Sequence, residues 1–408
     1  MSIFNPQTPD TANPQPLTNP MTNPSRLKAK AEWLQWIKNV ITLTNKEFQT
    51  LFSDKMVIII IAFLFTVSIY TISTGITTEV HNATVAVVDH DQSQMSNYMV
   101  STLQPPNFQQ PVDVPDAKQL SDGFDKGDYI FSLEFPENFE QDVRNNKHPT
   151  VQLSADATAV SQAGVGLVYI QEIFSKESYN YLKQESPLNK LPVKVQTSVW
   201  FNPNTASHWF FSVTNIVGFI FLLAMMLVGA AIIREKERGT IEHLLVMPVT
   251  ANQIALAKII SNGVVIAIAA FLSLMFVVQG WLGVQINGSI ALYMLGTFVF
   301  LFSASAMGIM FATLAPTLPQ FGLLSLPVYV VLRLISGGDA PFESMPIWVQ
   351  SISRFSPVTQ YALFSHAVLF RDANLQIVGH YLLEMTLAGI IFMVFALKRF
   401  RSMLDKQG

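Results

Sequence analysis

Apolar residues are concentrated in six long runs along the chain, with polar segments between them. A helix needs about 20 mostly apolar residues to cross the hydrocarbon core of a bilayer. The pattern therefore predicts six transmembrane helices. They cover residues 56–75, 209–233, 259–282, 290–314, 321–337 and 377–397. The fifth run is the shortest and contains Pro327 and Arg333, so it fits this prediction least well.

Lys and Arg residues lie on alternate flanks of these runs. They precede the first run, lie between the second and the third, and follow the sixth, whereas residues 283–289 carry none. Because short basic flanks remain on the cytoplasmic side, both termini are predicted to be cytoplasmic, including a basic tail at 398–408. The first 25 residues are rich in Pro, Asn and Thr, which predicts a disordered tail.

The segment 76–208 between the first two runs is predicted to form one large domain on the periplasmic side. It carries 16 acidic and 8 basic residues. Alternating or apolar strands are predicted near 84–88, 129–135, 150–153 and 193–200, and helices over 92–103, 136–144 and 161–185. The predicted fold is thus a mostly α membrane protein with an α+β domain inserted between its first two membrane helices.

Asp89, His90 and Asp91 form a polar cluster directly after the first of these strands. A metal site or a general base would need further ligands, which the sequence does not place. A solvated turn is the favoured interpretation.

The segment 234–250, between the second and third runs, reads REKERGTIEHLLVMPVT. Its charges come first, Gly239 offers a break, and Thr240 can cap a new helix with Glu242 near its positive end. Ile241, Leu244 and Leu245 share one face at helical spacing, and Pro248 ends the short helix. Thr250 and Gln253 form a capping box that starts the third membrane helix.

This short amphipathic helix has two physical interpretations. It can lie on lipid headgroups, or it can dock into a groove of a cytosolic partner. The residues alone leave the two equally open.

Two charged residues lie inside predicted membrane runs. At 1.5 Å per residue, Arg333 and Glu384 are about 6 Å and 10 Å from the outer ends of their helices. They are close enough in depth to pair, and a structural ion pair is favoured over a substrate site. Arg333 also has the alternative of extending its side chain to the interface.

Ala304, Gly308 and Ala312 place small residues four positions apart in the fourth run. This spacing allows two helices to approach closely, either inside the bundle or between two chains. After the fifth run, residues 338–372 are moderately apolar and interrupted by prolines. They are predicted to form a re-entrant pair of short helices on the outer side, near 347–354 and 359–370.

Composition excludes several classes of function. Only 13% of residues are charged and the net charge is −3, so nucleic-acid binding is not expected. The chain has no cysteine, which removes disulfides and thiolate sites. It contains no GxxxxGK[ST] motif and no Gly-Lys pair, so it lacks the phosphate cradle of an ATPase. Neither catalytic residues nor a metal site is expected.

The segment 234–250 resembles the coupling-helix signature of type-2 ABC exporter permeases. Within that class the chain is similar to the YhhJ-like multidrug exporter permeases of Gram-negative inner membranes. The similarity extends to DHDQSQ at 89–94, FNPN at 201–204 and SGGDAPFESMP at 336–346. The proline-rich tail has no counterpart in this resemblance.

The resemblance implies a transport complex. Two identical or similar permease chains pair, and each binds an ABC ATPase subunit that holds the ATP. The coupling residues would be Arg234, Glu235, Glu237, Gly239, Thr240, Glu242, Leu245 and Pro248. Residues 26–55 would form an amphipathic connecting helix, and a periplasmic adaptor and an outer-membrane channel are further expected partners.

Two other functions compete with this expectation. An ion-coupled secondary transporter would use Arg333 and Glu384, but such proteins carry inverted repeats, and the large domain after the first run has no mirrored counterpart. A receptor or scaffold would need a cytoplasmic output domain, for which only short loops are available.

Overall fold

The computed structural model describes residues 24–75, 80, 82–145, 147–156, 160–182, 206–239, 249–338, 342 and 345–404. Residues 1–23 of the predicted tail lie outside this part of the chain, as does the predicted strand at 193–200. The described helices are α1 Pro24–Ser53, α2 Lys55–Gly75, α3 Gln94–Ser101, α4 Ala117–Lys126, α5 Phe139–Arg144, α6 Val160–Tyr181, α7 Ser207–Glu237, α8 Ala251–Trp281, α9 Ile290–Leu314, α10 Leu318–Leu334, α11 Ile347–Ser353, α12 Pro357–Arg371 and α13 Leu375–Leu404.

Five of these helices are long and apolar enough to cross a membrane. They are α2, α7, α8, α9 and residues Leu375–Arg399 of α13. Helix α10, which covers the predicted fifth span, has 17 residues, so it rises only about 25 Å against a hydrocarbon core of about 30 Å. Thr317 is its N-cap and Pro319 lies in its first turn. After its end, Gly337 has a left-handed φ of +87°, which stops the helix.

The centre of the helical bundle is α7. In its most apolar stretch 72% of residues are buried, against 22% for α2 and 17% for α13. Helices α2 and α13 therefore lie at the periphery, where their apolar side chains face the surroundings of the bundle. Helices α8 and α9 pack between these extremes, with a little over half of the corresponding stretch buried.

The small residues of α9 pack against α7, inside one chain. Ala304, Gly308 and Ala312 are all buried. A Cβ atom on Gly308 would collide with the backbone carbonyl of Met225, and one on Gly229 would lie 2.9 Å from the Gly308 carbonyl oxygen. Of the two interpretations of this stripe, the structure supports close packing within the bundle.

Helix α1 lies against the start of α8. Leu43 is buried beside Ile254 and Ala257, and the Gln253 side chain donates to the Trp36 carbonyl at 3.3 Å. Asp54 separates α1 from α2, because its carboxylate accepts from the Val57 N–H at 3.3 Å and caps the new helix.

The segment between α2 and α7 contains a four-stranded sheet of order β2-β1-β3-β4. The strands are β1 Val85–Asp89, β2 Val112–Asp113, β3 Phe131–Phe135 and β4 Gln152–Ala155. Strand β1 is parallel to β2 and β3, and β4 is antiparallel to β3. Helices and strands alternate along the chain and three of the four strands are parallel, which is typical of an α/β domain. The predicted α+β class, in which helices and strands are segregated, therefore differs from the structure.

The first four residues of strand β1 are apolar and buried because both faces of the strand are covered there. Val85 and Val87 enter a core with Phe131 and Ile170, whereas Ala86 and Val88 face a smaller cluster on the other side. The predicted strands at 84–88, 129–135 and 150–153 overlap β1, β3 and β4. The short strand β2 and helix α4 were not predicted.

The segment after α10 forms two short helices, α11 and α12, close to the predicted positions. Helix α12 packs on α9 through aromatic rings: Tyr361 stacks on Phe300 with centroids 4.3 Å apart, and its hydroxyl lies 2.8 Å from Thr297. This contact holds the hairpin on the bundle at the end opposite to the α7–α8 loop.

Candidate functional site

The predicted docking segment begins at the last turns of α7. Arg234, Glu235 and Glu237 belong to this helix, and Gly239 follows its C-cap. Thr240, Glu242, Leu245 and Pro248 lie outside the described residues, so the predicted amphipathic helix remains a prediction.

Gly239 ends α7 in a left-handed conformation. Its φ is +67°, and its N–H donates to the Lys236 carbonyl at 3.2 Å. Nothing lies within 4 Å of a Cβ atom built on it. The backbone angle, and not a lack of space, therefore favours glycine here.

The other end of the loop is also capped. The Thr250 N–H donates to the Gln253 side chain at 2.7 Å and the reciprocal bond completes a capping box. The predicted capping box is thus confirmed. Both helix ends that flank residues 240–248 in the sequence are thus defined.

A cluster of four charged side chains connects these helix ends to α1. We call Lys46, Glu47, Glu235 and Lys258 the junction cluster. The Lys258 ammonium lies 3.0 Å from a carboxylate oxygen of Glu47 and 2.9 Å from one of Glu235. Lys46 approaches the same two carboxylates at 3.7 Å and 3.4 Å. The cluster joins three helices: α1, α7 and α8.

Burial makes Lys258 the central member of this cluster. Its side chain is 1% exposed, whereas that of Lys46 is 54% exposed. A buried ammonium loses its hydration and is tolerated only with charged or hydrogen-bonding partners. The two carboxylates and the two ammonium groups of the cluster carry equal and opposite total charge. The arrangement therefore favours a fixed distance between α1, the end of α7 and the start of α8.

Two further contacts extend this junction. Asp54 lies 3.7 Å from Arg234, with both side chains 40% exposed, so this pair contributes little on its own. Glu237 accepts from the Leu318 backbone N–H at 2.9 Å, at the start of α10. A cavity of about 470 Å³ lies beside these residues and is lined by α1, α2, α7 and α8. The segment that leads into the docking loop thus contacts α1, α2, α8 and α10.

The two intramembrane charges lie in different surroundings. Arg333 donates to the Asn215 side-chain oxygen at 2.8 Å and to the Tyr329 hydroxyl at 3.1 Å, which ties α10 to α7. Glu384 lines a large cavity between α13 and the α11–α12 hairpin. The ion pairs among the described residues do not include Arg333 with Glu384.

The Asp89 carboxylate stabilises the turn that follows β1. Its carboxylate accepts from the backbone N–H groups of Asp91 and Gln92 and from the Ser96 hydroxyl, at 2.6 to 3.0 Å. Asp91 accepts from the Glu140 N–H at 3.0 Å. Within the described ranges no group of three His, Asp or Glu side chains is arranged to hold a metal ion.

Sequence reasoning missed the partners of Lys258. It treated this lysine as one of the basic residues that set orientation, and it assigned no role to Glu47. The available signal was the position of a lysine eight residues inside a helix whose flanking residues are Ala and Ile. Asn215, a polar residue within the second apolar run, was missed in the same way.

Comparison with known proteins identifies the family. A family model described as "ABC-2 family transporter protein" matches residues 55–398. The chain is 40% identical over 368 residues to the inner membrane transport permease YhhJ of Escherichia coli (strain K12), covering 90% of this chain and 98% of that protein. It is 25% identical over 339 residues to the probable multidrug ABC transporter permease YbhR of the same organism, covering 83% and 91%.

These matches confirm the resemblance that the sequence motifs suggested. They also agree with a multi-pass protein whose helices suit a membrane. The chain belongs to the ABC-2 family of transporter permeases, and is the membrane subunit of an ABC transporter and not its ATPase.

Proposed function

We propose that this chain moves a substrate out of the cytoplasm or the inner membrane, driven by a separate ABC ATPase subunit. The family membership and the missing phosphate-binding motif support this division of labour. ATP binds the partner, and the permease chain carries no cofactor of its own. YbhR is named as a probable multidrug permease, which supports drugs and other amphiphiles as the class of substrate.

The ATPase docks on residues 234–250 in this proposal. The observation that carries it is the junction cluster, which binds the end of α7 and the start of α8 to α1 through the buried Lys258. A push on the loop between these ends is transmitted to two membrane helices and α1 together, because the ion pairs resist their separation. Nucleotide-dependent movement of a partner can bias a two-state bundle by such a contact.

The proposed topology places both termini in the cytoplasm and residues 76–208 in the periplasm. Helix α10 is the fifth span, shorter than the others but anchored to α7 by Arg333 and Asn215. The basic flanks support this arrangement, since six crossings return the chain to the side on which it started.

The proposed complex contains two permease chains, as a homodimer or a heterodimer, and one ATPase bound to each. In a Gram-negative envelope, a periplasmic adaptor and an outer-membrane channel would continue the export route. The name of YhhJ as an inner membrane transport permease supports the location.

Co-purification of the ATPase tests the docking site. The tagged full-length chain is solubilised, and any bound protein with a phosphate-binding loop is identified by mass spectrometry and by ATP hydrolysis. Glu242→Lys is expected to abolish co-purification, because it reverses a charge in the proposed docking helix. Glu172→Lys, which reverses an exposed charge on α6, is the matched control and retains the partner.

A second series tests the conformation of Gly239. Gly239→Val is expected to weaken docking strongly, because a β-branched residue rarely adopts a positive φ. Gly239→Asn is expected to retain most of the partner, since Asn tolerates the left-handed region. Full co-purification with Glu242→Lys and Gly239→Val would refute the proposed docking site. Transport in ATP-depleted vesicles with an intact proton gradient would instead favour an ion-coupled transporter.

A further inference from the structure

A cavity of about 920 Å³ lies between α13 and the α11–α12 hairpin. It is separate from the junction cluster, which lies at the other end of the bundle. Its wall contains charged and polar groups from both elements, among them Arg354, Arg371, His380 and Glu384. A cavity of this size and mixed polarity is typical of a site for a small organic ligand.

Three charged groups around this cavity have no salt-bridge partner among the residues that the structure describes. Arg354, Arg371 and Glu384 are all exposed, and the ion pairs among the described residues include none of them. This contrasts with Lys258, whose charge is fully compensated. The two guanidinium groups can each donate to a phosphate, whereas the carboxylate can only accept.

The residues of α13 that line the cavity change from polar to apolar along one face of the helix. His380 and Glu384 are one helical turn apart, and Leu387 and Ile391 follow on the same face. At 1.5 Å per residue, the apolar part begins about 5 Å below Glu384 and extends to about 10 Å. Leu387 and Ile391 are 51% and 66% exposed. The order matches that of a membrane amphiphile, with a charged head followed by a hydrocarbon chain.

We propose that this cavity binds an aminophospholipid. Arg354 and Arg371 hold its phosphate, Glu384 accepts a hydrogen bond from its primary ammonium group, and its acyl chains run along Leu387 and Ile391. The opposite charges of the protein groups match the opposite charges of a zwitterionic headgroup. A second copy of the chain would fit less well, because a dry interface would bury three charges without partners. Binding of the lipid does not depend on the topology proposed above. That topology determines only the leaflet from which the lipid enters.

Native mass spectrometry of the detergent-purified full-length chain tests this site. The probes are phosphatidylethanolamine, phosphatidylcholine and phosphatidylglycerol with identical acyl chains. The wild-type protein is expected to bind phosphatidylethanolamine about tenfold more tightly than phosphatidylcholine, whose quaternary ammonium cannot donate to Glu384. Glu384→Gln is expected to remove this preference while leaving phosphate-dependent binding in place.

The paired change Arg354→Gln with Arg371→Gln is expected to weaken binding of all three lipids by tenfold or more. Arg399→Gln, an exposed arginine at the other end of α13, is the control and leaves binding unchanged. An unaltered lipid preference in Glu384→Gln would overturn the proposal even if the paired variant misfolds, since Glu384 is exposed. Loss of dimer in the same spectra, with lipid binding intact, would assign the cavity to a second chain and equally overturn it.

Discussion

The charge of Lys258 determines which helices meet at the end of the bundle where α7 ends and α8 begins. Its ammonium lies within 3.0 Å of two carboxylates and is almost fully buried. An interaction of this kind has little value as net stability, because desolvation offsets the attraction. Its effect is to specify which helices meet, and at what distance.

Lys258→Met is therefore expected to destabilise the bundle by roughly 3 kcal/mol, the lower end of the range for a broken buried ion pair. Glu47 and Glu235 would lose their closest partner while remaining largely shielded from water. Thermal unfolding in detergent micelles measures the change. Lys46→Met is the matched control, since Lys46 is mostly exposed and its removal should cost about 1 kcal/mol or less. Equal losses for both variants would show that Lys258 does not organise the junction.

Glu140 is expected to make the inserted sheet domain sensitive to acid. Burial raises the pKa of this carboxyl, but hydrogen bonds from Arg144, the Met95 N–H and the Tyr181 hydroxyl together outweigh it, so the pKa lies below its usual value. A lowered pKa stabilises the folded state at pH values above the unfolded pKa of about 4.3. This contribution is lost as the pH falls through the folded pKa of Glu140.

Hydrogen exchange can detect this contribution in the full-length chain. Glu140→Gln is expected to raise amide exchange in Gln94–Ser101 at pH 7, because the charged acceptor of the Met95 N–H is removed. The difference from wild type should disappear once acid protonates Glu140. Glu137→Gln, an exposed neighbour, should leave exchange at pH 7 unchanged. Faster amide exchange in Glu140→Gln than in the wild type at pH values below the folded pKa of Glu140 would contradict this assignment.

At the residue level the sequence predicted local interactions and missed distant ones. The capping box at Thr250 was predictable because its two residues are three positions apart. The partners of Lys258 lie 211 and 23 positions away, and no periodicity connects them. The same limit applies to Arg333 and Asn215, which come from different membrane helices.

Five of the six predicted membrane helices coincide with helices that are long and apolar enough to cross a bilayer, and they were predictable because a bilayer demands long apolar runs. The small-residue stripe of α9 predicted close packing, but only the structure identifies α7 as its partner. Strand β2 has two exposed residues, so it carries no alternating apolar signal. Helix α4 is amphipathic and lies between an Asp116 N-cap and a Gly127 C-cap, signals that the sequence analysis did not use. The π-helical stretches at Leu64–Ser68 and Ser273–Trp281 have no sequence signature in this chain.

Gly308→Ala tests the contact between α9 and α7. The added methyl group would collide with the Met225 backbone carbonyl, which cannot rotate away as a side chain can. We expect a loss of about 1–3 kcal/mol from overpacking, measured as a lower unfolding temperature in micelles. Gly379→Ala in α13 is the control, because nothing lies within 4 Å of its Cβ position. That variant should be neutral or slightly stabilised, as for Gly→Ala in an open helix position, and an equal loss in both would exclude close packing as the cause.

The whole molecule has two polar regions at opposite ends of an apolar bundle. The end of α7, the start of α8 and the junction cluster lie at one end, and the α11–α12 hairpin and the cavity beside α13 lie at the other. Helix α10 runs between them and is tied to α7 by Arg333. Whether α10 crosses the bilayer decides on which side the cavity and the C-terminal basic tail lie.

The absence of cysteine allows this crossing to be measured directly with single introduced thiols. Gln320→Cys lies in the first turn of α10 and Ser351→Cys lies in α11, beyond the other end of α10, both at exposed positions. Gln119→Cys marks the inserted domain. A membrane-impermeant maleimide added to intact spheroplasts is expected to label positions 119 and 351, but to label position 320 only after permeabilisation. The alternative is a re-entrant α10, which its short length allows. A re-entrant α10 would give positions 320 and 351 the same accessibility to the maleimide. That result would leave five crossings and place the basic tail outside, against the distribution of Lys and Arg along the whole chain.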